Sequence, residues 1–118
     1  MALIGLVIGG KNMKIIEVNY EHILFDNGSV ITFDHEQECC EYNYADFVQL
    51  DSIARGYEYQ EPLIFEAIDD KGFLFGDSRR LFFVPCYSDQ NGYYTDEIDI
   101  YLNGERVLSF DCEEIDND

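Results

Sequence analysis

The sequence predicts an α+β domain, a mainly antiparallel β-sheet with one helix packed on it. Three observations lead there. Turn signals of the Asn-Gly or Asp-x-Gly kind recur between short apolar runs, and several of those runs alternate with period two. A single stretch, by contrast, repeats its apolar residues at helical spacing.

Taken in order, Ala2 to Gly10 is apolar but has no basic leading segment and is far too short to span a bilayer. Residues 1–12 therefore read as an extension or a first strand, with Met13-Lys14-Ile15-Ile16 resembling an internal start. Asp26-Asn27-Gly28 separates Ile23-Leu24-Phe25 from Val30-Ile31-Thr32-Phe33, and such turn residues supply the positive backbone angles a tight hairpin needs. The helix is expected next. Asn43 caps it, Asp46 sits at its third position, and Tyr44, Phe47, Leu50 and Ala54 form its apolar stripe. Gly56, after Arg55, would end it.

Asp70-Lys71-Gly72 then joins Leu63 to Ile68 with Phe73-Leu74-Phe75. Leu81-Phe82-Phe83-Val84 is apolar on both faces and reads as a central strand. Alternation puts Ile98, Ile100 and Leu102 on one face, Asn103-Gly104 turns the chain, and Leu108, Phe110 and Cys112 share a face on the way back. The acidic run 111–118 is expected to fray as a tail.

Length and composition bound the function. A chain of 118 residues is one domain, 1–118, with enough apolar surface for a real core. Nine Tyr and nine Phe exclude a disordered acidic segment. The 25 acids against 7 bases, a net charge of −18, exclude direct binding to nucleic acid, because phosphate contact rests on Lys and Arg. The same charge suits a basic protein surface. Residues 34–70 hold eleven acids against Arg55 alone, and residues 89–118 hold ten against Arg106 alone. No segment calls for a membrane, and the reading places the chain in the cytoplasm of a bacterial host, where four cysteines stay reduced.

The string His35-Glu36-Gln37-Glu38-Cys39-Cys40-Glu41 concentrates metal-binding chemistry. Imidazole and thiolate are ligands zinc prefers, and on a helical turn His35 and Cys39 would share a face. Cys40 is a third ligand if the turn is irregular, and Cys86, beside Pro85 at a strand end, is the remote candidate; Cys112 reads as a small core residue. The competing account is a turn in which His35 hydrogen-bonds and the cysteines are simply buried. His22, on an apolar strand, reads as a packing or surface histidine. Catalysis by Cys39 with His35 as base is disfavoured, since the flanking carboxylates oppose thiolate formation. No phosphate loop, H-E-x-x-H string or serine elbow is present. Asn91-Gly92-Tyr93-Tyr94 reads as a turn followed by strand aromatics, or as tyrosines offered to a protein partner.

Two of these strings together, H-x-Q-[D/E]-C-C-E at His35–Glu41 and N-G-Y-Y-x-x-x-[V/I]-D at Asn91–Asp99, resemble a phage and bacterial family to which no activity is assigned. Cys86 and Cys112 lie outside both strings. Small acidic phage-type proteins are in turn similar in character to anti-CRISPR inhibitors, among them a zinc-containing type. That resemblance implies a non-enzymatic inhibitor that docks on a basic surface of a CRISPR effector nuclease and blocks DNA loading, with a structural zinc. The alternatives are a Cys/His or metal-dependent enzyme acting on a small substrate, and a phage accessory protein with no nucleic-acid-related target.

Overall fold

The computed structural model describes residues 12–34, 42–52, 54–90 and 95–116. In chain order the strands are β1 (Asn12–Met13), β2 (Ile15–Val18), β3 (His22–Phe25), β4 (Val30–Asp34), β5 (Tyr42–Ala45), β6 (Tyr59–Gln60), β7 (Ile64–Ile68), β8 (Gly72–Gly76), β9 (Leu81–Gln90), β10 (Glu97–Leu102), β11 (Glu105–Asp111) and β12 (Glu113–Asp116). One short 3-10 turn, Phe47–Leu50, follows β5.

One sheet runs β11-β10-β4-β3-β2, and its pairs are antiparallel. The other runs β12-β9-β8-β7, with β5 also paired to β9; β1 and β6 form a small ribbon. The two large sheets pack as a β-sandwich-like fold. Ile23, Phe25, Ile31, Ile98, Ile100 and Phe110 from one sheet meet Phe73, Phe75, Phe82 and Val84 from the other. Phe73 and Phe110 touch across the gap with ring centroids 6.2 Å apart, and Tyr59 lies between Phe25 and Phe75 at 5.5 and 5.6 Å.

The hairpins form where the turn residues place them. Asn103 and Gly104 both adopt positive φ (53° and 84°), matching the twist of the strands they join, and Asp70 does the same at 64°. Gly72 and Gly76 have a different task. A Cβ on Gly72 would collide with the Val84 carbonyl oxygen, and one on Gly76 with that of Arg80. Their bareness lets β8 lie against the incoming end of β9.

The expectation of an α+β domain with a packed helix is overturned: the described residues contain no α-helix, and the fold is nearly all β. Of the stripe, Phe47, Leu50 and Ala54 are fully buried, delivered by a 3-10 turn and a further turn, whereas Tyr44 is not. Upstream, period two wins. Asn43 and Ala45 point inward while Tyr42 and Tyr44 point outward, because the segment pairs with β9 from Cys86 to Asp89. Asn43 caps nothing. Its buried amide donates to the carbonyls of Thr95 (3.0 Å) and Glu97 (2.9 Å) and accepts from the Ser88 hydroxyl, tying β5 to both sheets. Gly56 does reverse the chain, with φ of 93°.

Two further expectations shift. Glu113–Asp116, within the run expected to fray, pairs in parallel with Tyr87–Gln90 as β12. Leu81–Val84 is central but not buried on both faces: Phe82 and Val84 are enclosed, whereas Leu81 and Phe83 remain 38% and 40% exposed. The inward alternation of Ile98 and Ile100 stands, as does that of Phe110 and Cys112.

Candidate functional site

Of the four candidate zinc ligands, His35, Cys39 and Cys40 lie outside the described residues. Cys86 lies in the core, wholly buried. The ladder that sets Glu113 opposite Tyr87 brings Cys112 beside Cys86, and both are free thiols. A hydrogen bond with the Cys112 thiol and then burial push the Cys86 thiol up, so it is held protonated. Such a thiol suits packing in the core. Among the described residues no group of three or more His, Cys, Asp or Glu side chains could hold a metal ion. Cys112 is the core residue the alternation suggested. His22 is half-exposed and bonds Glu17, a surface arrangement. Asn91–Tyr94 also lies outside the described residues.

The most heavily bonded polar group is one that the sequence reading did not single out. Asp77 follows β8 and is 2% exposed. Its carboxylate accepts from the Tyr57 hydroxyl (3.0 Å), from the backbone N–H groups of Gln60 (2.9 Å), Arg79 (2.9 Å) and Arg80 (3.1 Å), and from the Arg79 guanidinium (3.0 Å). Burial alone would push this carboxyl up. The donors, led by the Gln60 N–H and Arg79, outweigh burial and hold the carboxyl well below the usual carboxylate range. Arg80 lies over the Phe82 ring at 4.5 Å and Arg79 over Tyr57 at 5.4 Å. This is an Asx turn that locks the β8–β9 connection to β6; Asp77-Ser78-Arg79-Arg80 after an apolar strand was its sequence signal.

Three arginines pair with carboxylates of the chain itself. Arg55 pairs with Asp51, Arg79 with Asp77, and Arg106 reaches Asp99 at 4.0 Å. Acidic charge instead accumulates. The tip of the β7–β8 hairpin meets the end of β11, where the Asp70 N–H donates to the Asp111 carbonyl at 3.0 Å, and the Cys112 N–H donates to the Asp96 carbonyl at 2.9 Å. Five carboxylates converge there. Burial, followed by repulsion from Asp69, Asp96, Asp70 and Glu97, pushes the Asp111 carboxyl up.

A second surface lies on the outward side of β5 and β9. Tyr42 stacks on Tyr44 with centroids 5.0 Å apart, and Tyr44 meets Tyr87 at 5.8 Å. Register places Tyr42 opposite Asp89 and Tyr44 opposite Tyr87. Burial first, then the carboxylates of Asp46 and Asp89, push the Tyr44 hydroxyl up. The arrangement offers aromatic faces and negative charge to solvent and no nucleophile–base pair. Among the described residues no helix is long and apolar enough to cross a membrane. No family model, no curated protein and no solved structure matches the chain.

Proposed function

We propose that the protein is a non-enzymatic inhibitor or binding module that docks its acidic surface on a basic surface of another protein. The observation that carries this reading is the convergence of Asp69, Asp70, Asp96, Glu97 and Asp111 at one end of the sandwich, where burial and then the neighbouring carboxylates push Asp111 up. Holding carboxylates so close costs stability unless a cationic partner relieves them. Among the described residues, Arg55 pairs with Asp51 and Arg79 with Asp77, both away from this cluster. The target this chemistry fits is the positively charged channel in which an RNA-guided DNA nuclease holds its guide–target duplex. A folded polyanion seated there obstructs DNA loading by occupancy alone. In this reading a zinc ion held by His35, Cys39 and Cys40, with Cys86 as the remote candidate, is structural.

The test is DNA binding by a purified RNA-guided nuclease in the presence of the protein. Inhibition is expected, weakening steeply with added salt. The combined Asp69→Asn, Asp70→Asn and Asp96→Asn variant should lose it while melting no lower than the parent. Inhibition indifferent to salt and to these substitutions would overturn electrostatic docking. Elemental analysis of purified protein should find about one zinc per chain; a stable, metal-free monomer removes the zinc from the account.

A further inference from the structure

The outward face of the β9 sheet carries more apolar surface than a solvated face needs. Tyr42 is 51% exposed, Phe83 40% and Ile64 39%, on β5, β9 and β7 of one sheet. At the β5 end this surface becomes a run of touching rings, Tyr42, Tyr44 and Tyr87. Beneath it, the buried Asn43 amide and Ser88 hydroxyl lock β5 against β9, so the rings stand on a rigid base. Around it lie Asp46 and Asp89, which act on the Tyr44 hydroxyl, and Glu113, in register with Tyr87. Among the described residues, neither Asp89 nor Glu113 takes part in an ion pair. Oδ1 of Asp89 is enclosed and has no hydrogen-bond partner among them.

Aromatic faces beside uncompensated carboxylates are complementary to one side chain above others. A guanidinium is planar, stacks on a ring, and forks its N–H groups into a carboxylate. An ammonium is a compact, strongly hydrated point charge and gains less from the rings. A second copy of this chain would bring another −18 of charge to the same acidic rim, which disfavours self-association there.

We propose that the outward face of β5 and β9, with the rings of Tyr42, Tyr44 and Tyr87 bordered by Asp46, Asp89 and Glu113, is the docking surface for an arginine-bearing segment of a basic protein. This rests on the reading of the chain as an acidic binding module and deepens it. The rings select arginine, and the carboxylates supply attraction and orientation.

Labelled oligo-arginine and oligo-lysine peptides of equal length test it, titrated against the full chain by fluorescence anisotropy. Oligo-arginine should bind about fivefold to tenfold more tightly than oligo-lysine, the advantage of a few ring contacts. The combined Tyr44→Ser and Tyr87→Ser variant should bind both peptides alike, whereas the Tyr44→Phe and Tyr87→Phe pair should keep the preference. Should the serine pair fail to fold, Tyr42→Ser at its half-exposed site and Asp89→Asn carry the same comparison, each with a reduced arginine advantage. Equal binding of the two peptides by the unaltered chain, weakened by salt, overturns the tyrosine surface and leaves acidic docking standing. No binding of either peptide overturns both. Sedimentation that shows a dimer broken by Tyr42→Ser assigns the face to a second copy and refutes the proposed occupant.

Discussion

Replacing Asp77 with Asn tests whether one buried carboxylate organises the β8–β9 connection. The substitution keeps the shape and removes one acceptor oxygen. Oδ1 receives the Tyr57 hydroxyl and the N–H groups of Arg79 and Arg80, while Oδ2 receives the Gln60 N–H and the Arg79 guanidinium. Whichever way the amide turns, its NH2 faces at least two donors. Stranding two buried donors costs about 2–6 kcal/mol at roughly 1–3 kcal/mol each. For a domain of this size that lowers the melting temperature by roughly 8–24 °C. The effect has a defined pH dependence. Asp77 titrates below its ordinary value of 3.8 in the folded chain, so its charged form favours folding. That contribution is complete above about pH 5 and is lost as the pH falls through the folded value. Thermal melts of both proteins by circular dichroism, from about pH 7 down to about pH 3, should show a gap that is widest at neutral pH and narrows in acid. A variant melting within about 2 °C of the parent, or a gap that widens in acid, would refute the account.

Asp111→Asn should act in the opposite sense. The folded chain raises this carboxyl, so its neutral form favours folding, and the variant should melt higher at neutral pH with a gain that fades as the parent protonates in acid. A lower melting point at neutral pH contradicts the repulsion argument. Gly76→Ala should cost far more than Gly28→Ala, because only the first sets a methyl against backbone, the Arg80 carbonyl, whereas the second meets open space and only the strain of a φ of 90°; urea denaturation of the two variants gives the comparison. Cys86 and Cys112 should be alkylated only at the rate of opening, read by peptide mass spectrometry, and labelling within seconds in native buffer would show that the pair is not enclosed.

Much of the fold was legible in short windows. Asp26-Asn27-Gly28, Asp70-Lys71-Gly72 and Asn103-Gly104 all turn the chain where their backbone preferences say they should. The stretch from Asn43 to Ala54 was not legible, because its apolar residues fit two periods at once. Tyr44, Phe47, Leu50 and Ala54 match a helix stripe, while Asn43 and Ala45 match an inward strand face. Partners far along the chain broke the tie: β9 offers Tyr42–Ala45 a ladder, and two carbonyls near β10 satisfy Asn43. The Asp77 hub was missed for a related reason. Its Asx turn is local, but the donors from Tyr57 and Gln60 arrive from β6 and the segment that leads into it.

By itself the sequence determined the hairpins, the alternating core faces, the buried positions Phe47, Leu50 and Ala54, and the acidic character, since these depend on local backbone preference, side-chain period and summed charge. Tertiary structure alone decided that Tyr42–Ala45 is a strand, that residues 113–116 extend a sheet, that Cys86 sits beside Cys112, and that Asp69, Asp96 and Asp111 crowd together. Each of these is a pairing between residues distant in the chain, and hydrogen-bond ladders and Coulomb repulsion act on distance in space, to which spacing in sequence is no guide.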